Sequence, residues 1–125
     1  MGYLPTYRGY NVLEWSLFRG DQIGVSLDFI DTGVDTGDIV RFYPLAVELG
    51  DTLACVRAKA FPIDVDLMLD AIRGLERGTL ARTPQAEGEG KQYFTMHPRL
   101  RAVAEKRIAL LLESISAAIK PKGVN

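Results

Sequence analysis

The feature that most constrains the fold is a pair of strand-like segments joined by a loop of aspartate and glycine. Apolar and polar residues alternate from Gly24 to Ile30, and the segment from Asp38 to Glu48 is rich in β-branched and aromatic residues. Both patterns are typical of strands that bury one face. The connection, Asp31 to Asp38, is too long for a two-residue hairpin and too polar for a core. We therefore predict an ordered surface loop between two strands, with Pro44 placing the second strand at an edge or a bulge.

Helical patterns surround these strands. Asn11 is suited to cap a short helix that ends at Gly20. A second helix is predicted to begin at Asp51 or Thr52, and Pro62 either kinks that helix or opens a separate segment. The sequence thus predicts an α/β fold of two or three strands with three or four helices.

We predict three parts along the chain. Residues 1–78 form the domain, residues 79–92 are polar with glycines and are predicted to be a mobile linker, and residues 93–125 form an amphipathic helix. Pro98 is suited to the first turn of that helix. Its apolar stripe is predicted to comprise Leu100, Val103, Ala104, Ile108, Leu111, Ile115 and Ile119.

Charge and cysteine content limit the function classes. Fifteen Lys and Arg residues against sixteen Asp and Glu residues give a net charge of -1, so nucleic acid is disfavoured as the main partner. No apolar run approaches the length of a membrane span, and no signal-peptide pattern is present. The single cysteine, Cys55, cannot form an internal disulfide and is expected to be a small buried helix residue. We expect a cytoplasmic protein without a membrane anchor, and no metal site is predicted.

Four segments carry a family resemblance: Leu4 to Gly9 (LPTYRG), Glu14 to Leu17 (EWSL), Gly24 to Asp31 (GVSLDFID) and Gly33 to Val40 (GVDTGDIV). In this order and spacing they resemble the formyltransferases that use 10-formyltetrahydrofolate, a family with a Rossmann-like fold. Beyond these segments only QYFTMHP, at residues 92–98, is similar. The resemblance implies formyl transfer from 10-formyltetrahydrofolate to a small-molecule amine.

The resemblance also implies site residues. In the family an Asn, a His and an Asp promote attack of the amine on the formyl carbon, and the Asp corresponds to Asp35. A carboxylate held in a glycine-flanked loop at a strand end suits this role. The alternative is that Asp31, Asp35 and Asp38 are ordinary turn carboxylates. Family members hold part of the pterin with backbone atoms of the matching loop, here Phe29, Ile30, Asp31, Thr32, Gly33 and Val34.

Four further side chains are candidates with two possible roles each. Asp28 stands where many relatives carry a His or a nonionic residue, and it either binds an amine or a sugar hydroxyl or points to solvent. Arg8, like Tyr7, either contacts a substrate anion or packs the loop. His97, the only histidine, either replaces the family's catalytic histidine or is structural at a helix start.

The family's Asn-x-His-Pro precedes the LPxYRG segment, and Met1 falls where its proline would be. We therefore expect a partial Rossmann-like fold that lacks the upstream parallel strands and the catalytic Asn and His, and a chain that is inactive alone. The alternative is a fragment or interaction module without catalysis. In either case an open sheet edge is expected to favour self-association.

Overall fold

A computed structural model describes residues 2–119, apart from the side chains of residues 114–116 and 119. The described part is α/β, as predicted, and its secondary structure consists of three helices and four short strands. In chain order these are β1 (Tyr7–Gly9), α1 (Val12–Arg19), β2 (Gly24–Asp28), β3 (Ile39–Pro44), α2 (Leu53–Arg77), β4 (Lys91–Tyr93) and α3 (Pro98–Ile119).

The two predicted strands are confirmed as an antiparallel pair, β2 and β3, although both are shorter than expected. Gly24 lies opposite Pro44, and the register shifts between Leu27 and Asp28. This irregularity ends the regular pairing where the loop leaves the sheet. Pro44 is the last residue of β3, an end position where its missing N–H does not interrupt the ladder.

Three helix ends follow the predicted signals, whereas Asn11 occupies the cap position of α1 in the left-handed conformation and makes no side-chain capping hydrogen bond. Gly20 and Gly78 end α1 and α2 in the left-handed conformation, with φ of 75° and 66°. Thr52, the second of the two predicted caps, accepts a hydrogen bond from the Cys55 amide at 3.2 Å. Of the two alternatives for Pro62, a separate segment is wrong, because α2 runs through this proline as one helix.

One main core joins the helices to β2. Leu13 and Leu17 of α1 and Ile108 of α3 are each no more than 2% exposed and pack in the same cluster as Val56 of α2 and Val25 of β2. Of the predicted stripe of α3, Leu100, Ala104 and Ile108 pack in or against this core, whereas Val103 and Leu111 are exposed. The side chains of Ile115 and Ile119 lie outside the described residues. None of the helices within residues 2–119 has an apolar stretch that could span a membrane.

Two short strands were not predicted from the sequence. The segment predicted as a loop before α1 contains β1, which pairs in parallel with β4, so that Tyr7 lies opposite Lys91. Residues 79–92, predicted as a linker, also contact the domain: Thr83 and Ile39 exchange two backbone hydrogen bonds of 2.8 Å. The division of the chain into domain, linker and terminal helix stays a prediction.

The expectation for Cys55 is wrong. The thiol was expected to be buried, but Cys55 is exposed in the first turn of α2. Leu53, Val56 and Ala60 form the buried face of this turn, and Cys55 lies on the opposite side of the helix.

Candidate functional site

A polar cavity of about 140 Å³ lies where β1, β2 and the loop after β2 meet. It contains two of the carboxylates singled out from the sequence, Asp28 and Asp35. The residues that line it are Gly2, Leu4, Tyr7, Gly9, Ser26, Asp28 and Asp35.

Asp35 is held in a fixed position beside this cavity. It is one of two non-glycine residues with positive φ (53°) in the described part of the chain. Its carboxylate accepts a hydrogen bond from the Gly9 amide of β1, with an N–O distance of 2.7 Å. A side chain at Gly9 would place its Cβ 2.3 Å from the Tyr93 carbonyl oxygen, so glycine is required where β1 and β4 approach. The turn of the loop and the strand together orient the Asp35 carboxylate.

Asp28 is the last residue of β2 and is half-buried at the cavity wall. Burial raises the pKa of Asp28, and the negative charges of Asp35 and Asp31 raise this pKa further. Within the described residues its carboxylate makes no side-chain hydrogen bond. Two carboxylates therefore share one small polar cavity, an arrangement that favours a bound cation or hydrogen-bond donor.

The loop after β2 is ordered by its own side chains. Asp31 Oδ1 accepts hydrogen bonds from the Thr36 hydroxyl and, at 2.9 Å, from the Gly33 amide, and these bonds lower the pKa of Asp31. A Cβ at Gly37 would lie 1.6 Å from the Phe29 carbonyl oxygen, so only glycine closes the loop. The loop is consequently a rigid, exposed platform rather than a flexible connection.

Part of the backbone of this platform is unpaired within the described residues. The amides and carbonyls of Ile30, Thr32 and Val34 form no hydrogen bond with other described residues, and the Ile30 side chain is 99% exposed. Phe29 is anchored instead, because its amide donates to the Asp38 carbonyl at 3.0 Å and Arg82 stacks on its ring. The loop thus offers a run of free backbone donors and acceptors next to the cavity.

Arg8 and Tyr7 are engaged within the fold. Arg8 donates from Nε (3.0 Å) and Nη2 (2.6 Å) to Gln85 Oε1, and it does not line the cavity. The Tyr7 hydroxyl donates to Asp21, its ring stacks on Tyr93, and burial raises the pKa of Tyr7. Of the two roles considered for these residues, packing of the loop is the one with contacts in the structure.

His97 caps α3 and is absent from the cavity lining. Its Nδ1 accepts a hydrogen bond from the Arg99 amide at 3.2 Å, which is the pattern of an N-cap side chain. Among residues 2–119, no group of three or more His, Cys, Asp or Glu side chains is arranged to hold a metal ion.

Two polar residues were missed by the sequence analysis. Gln85 contacts both Arg8 and the loop, and Glu14 of α1 is fully buried beside Arg57. No local signal identifies Gln85, because it lies in a polar segment without periodicity. Glu14 follows Val12 and Leu13 in a short helix with a broad buried face. The apolar residues next to Glu14 were the available indication in the sequence that its side chain is buried.

The described residues therefore form a mixed α/β fold in which an aspartate-glycine loop and two carboxylates meet at one cavity. The model of the Formyl transferase family matches residues 2–72, more than half of the chain. This chain belongs to the formyltransferase family.

Relatives include two kinds of enzyme. Methionyl-tRNA formyltransferase of Desulfotalea psychrophila is 27% identical over 94% of this chain and 37% of its own length. Cytosolic 10-formyltetrahydrofolate dehydrogenase of Xenopus tropicalis is 35% identical over 79% of this chain and 11% of its own length. This chain therefore spans about a third, or less, of these curated relatives.

A solved structure supports the same fold. The formyltransferase PseJ from Anoxybacillus kamchatkensis, in complex with UDP-4,6-dideoxy-4-formamido-L-AltNAc and tetrahydrofolate, matches with a TM-score of 0.65 and 26% identity. The match covers 74% of this chain and 48% of PseJ. A folate is therefore bound by a structural relative of this chain.

Proposed function

We propose that this chain supplies one side of a site that transfers a formyl group from 10-formyltetrahydrofolate to an amine. The observation that carries the proposal is the cavity in which Asp28 and Asp35 lie beside the ordered loop of residues 31–38. Membership of the formyltransferase family and the tetrahydrofolate bound by PseJ support the same chemistry.

The loop is suited to a pterin ring. Pterins present donors and acceptors along one edge, and the free backbone groups of Ile30, Thr32 and Val34 offer complementary partners without a side-chain charge. Gly37 lets the loop close on the Phe29 carbonyl oxygen just after β2, so that a bound ring would lie next to the cavity. We assign residues 29–34 to this contact and Asp35 to the reacting end. When bound, the folate supplies the electrophilic formyl carbon.

Asp28 and Asp35 have different tasks in this proposal. Asp28 attracts the protonated amine into the cavity, since an amine enters at neutral pH as a cation. The Asp35 Oδ2 atom is held by the Gly9 amide, which leaves Oδ1 free to take one proton from the ammonium, so that the nitrogen lone pair can attack the formyl carbon. As the bond between the formyl carbon and N10 of the folate breaks, a second proton passes from the attacking nitrogen to N10, and the proton held by Asp35 is released to solvent. Arg8 supports the loop rather than the substrate.

The proposal predicts that the 125-residue chain binds folate but turns over poorly. Donors that stabilise an oxyanion are each worth about 3–4 kcal/mol, and the resemblance matches no Asn or His of the triad within this sequence. Binding is measured with 5-formyltetrahydrofolate by isothermal titration calorimetry. Gly37→Ala should abolish binding because its Cβ forces the loop open, whereas Gly50→Asn, in open space at a left-handed position, should not.

Turnover is tested after the chain is fused to the upstream half of a relative's catalytic domain. Asp35→Asn preserves size and should lower kcat by about 10²- to 10⁴-fold without changing the thermal midpoint. Asp38→Asn is the matched control, because Asp38 pairs with Arg82 on the exposed surface. If Asp38→Asn were the damaging change and Asp35→Asn were not, the assignment of Asp35 would be wrong. Turnover by the chain alone that His97→Ala abolishes would instead assign catalysis to His97.

A further inference from the structure

The side chain of Gln85, in the segment between α2 and β4, uses its complete hydrogen-bonding capacity. Its Nε2 donates to the carbonyl oxygens of Asp35 at 2.9 Å and Gly37 at 2.7 Å. Its Oε1 accepts two hydrogen bonds from Arg8, at 3.0 Å and 2.6 Å. An amide side chain can make four such bonds, so Gln85 has no group left for a ligand.

The direction of this amide is fixed by its neighbours. Arg8 can only donate, and the carbonyls of Asp35 and Gly37 can only accept, so the opposite orientation of the Gln85 amide would lose all four bonds. The glutamine therefore joins β1 to the loop in one geometry. Neither a carboxylate nor an ammonium group could replace it at both ends.

Asp35 lies at the centre of this connection. Its backbone carbonyl is held by Gln85 and its carboxylate by the Gly9 amide, so the residue is fixed from both sides. Such support is needed, because a positive φ of 53° costs a non-glycine residue roughly 1–2 kcal/mol unless its surroundings hold it there. Without Gln85, the peptide after Asp35 would be free to rotate and move the carboxylate away from the cavity.

We propose that Gln85 is a positioning residue for Asp35. This inference rests on the proposed function, since it assigns Asp35 to the reacting end of the site. Gln85 lies outside the cavity and acts through the Asp35 backbone. The segment of residues 79–92 therefore contributes to the site, because it carries Gln85, which sets the direction of the Asp35 carboxylate.

The test compares Gln85→Glu with Gln85→Met in the 125-residue chain. Glutamate preserves the size of the side chain and its contact with Arg8. Its second carboxylate oxygen cannot donate to the carbonyl oxygens of Asp35 and Gly37, so both of these hydrogen bonds are lost. Methionine removes both sets of bonds. Gln22→Glu is the control, since Gln22 is exposed and its side chain makes no hydrogen bond with the described residues.

The readout is the Gly9 amide in nuclear magnetic resonance spectra, because this amide donates to the Asp35 carboxylate. Both Gln85 variants should lower its protection against hydrogen exchange by roughly tenfold, the effect of losing two neutral hydrogen bonds, and should shift its proton resonance. The thermal midpoint should stay within a few degrees, because Gln85 lies in a surface segment. Unchanged Gly9 protection and resonance in both variants would overturn the inference.

Folate binding separates this inference from the proposed function. If the parent chain binds 5-formyltetrahydrofolate and Gln85→Glu weakens binding about tenfold while the control does not, both proposals are supported. If the parent chain fails to bind folate, the proposed function is wrong, but the Gly9 signal still decides whether Gln85 orients Asp35. If folate binds and Gly9 is unaffected by either substitution, only the role of Gln85 fails.

Discussion

Replacing Arg57 by methionine should destabilise the fold by about 2–3 kcal/mol, because it leaves the Glu14 carboxylate buried without its ion-pair partner. Glu14 is 0% exposed, its Oε1 pairs with Arg57, and its Oε2 has no hydrogen-bond partner within the described residues. Removal of one member of a buried pair costs about 3–5 kcal/mol. The Arg57 side chain is 40% exposed, so solvent screening reduces the expected value.

Urea and thermal unfolding measure this loss. A chain of this size loses roughly 4 °C in its thermal midpoint per kcal/mol, so Arg57→Met should lower the midpoint by about 8–12 °C. Arg73→Met is the matched control on the same helix. Its pair with Asp70 is 3.5 Å long with both side chains more than half exposed, so the control should cost less than about 0.5 kcal/mol.

A double variant tests the cause. Glu14→Leu combined with Arg57→Met removes the buried charge together with its partner, and stability should return close to the parent value. The reasoning would be refuted if Arg57→Met cost less than about 1 kcal/mol. It would equally be refuted if the double variant were as unstable as Arg57→Met, since the damage would then come from lost packing rather than from an unpaired carboxylate.

Three further predictions concern titrating groups. Hydrogen bonds from Thr36 and Gly33 lower the pKa of Asp31 below its ordinary value of 3.8, so Asp31→Asn should reduce stability at neutral pH. The difference in stability between parent and variant should disappear only below pH 3.8, as the folded-state carboxylate takes up its proton. Burial raises the pKa of Asp28, so Asp28→Asn should have the opposite sign: it stabilises at neutral pH and has no effect well below pH 3.8. Thermal midpoints from pH 2 to 7 measure both. Cys55 is exposed, and a hydrogen bond from Thr52 lowers its thiol pKa, so Thr52→Val should slow its reaction with a disulfide reagent at neutral pH.

The elements that could be predicted from the sequence are those whose sequence signals lie within a few neighbouring residues. The alternation that forms β2, the cap at Thr52 and the glycine ends of α1 and α2 each depend on a few neighbouring residues, and the structure confirms them. The loop between β2 and β3 was also predictable, because its aspartates and glycines form their own hydrogen bonds.

The elements that the sequence did not predict depend on contacts between distant segments. β1 and β4 are three residues long and pair across 84 positions, as Tyr7 with Lys91, so neither has room for a periodic pattern. Gln85 contacts Asp35 from 50 positions away, and its role is set by the backbone carbonyls it meets rather than by its neighbours in sequence. Cys55 was different, since the helical period of Leu53, Val56 and Ala60 already places it on the outer face.

Self-association is the last prediction, and the structure gives it a surface besides the sheet edge considered from the sequence. The second half of α2 carries an exposed apolar stripe at helical spacing: Phe61, Val65, Met68, Leu69, Ile72 and Leu75, between 43% and 71% exposed. A groove lined by Asp64, Val65, Met68 and Leu69 follows it. Contiguous apolar surface of this kind is typical of an interface.

We expect a second copy of this chain to cover the stripe with its own α2 in antiparallel orientation. If the two helices cross between Met68 and Leu69, Val65 meets Ile72 of the other copy and Asp64 meets Arg73, so apolar and opposite charges are matched along the contact. A single helix pair buries little area, so sedimentation equilibrium should show a dimer with a Kd on the order of micromolar or weaker. Asp64→Arg alone should weaken the dimer, and Asp64→Arg with Arg73→Asp should restore it. A monomer at all concentrations, or a dimer unaffected by the single charge reversal, would exclude this pairing of α2.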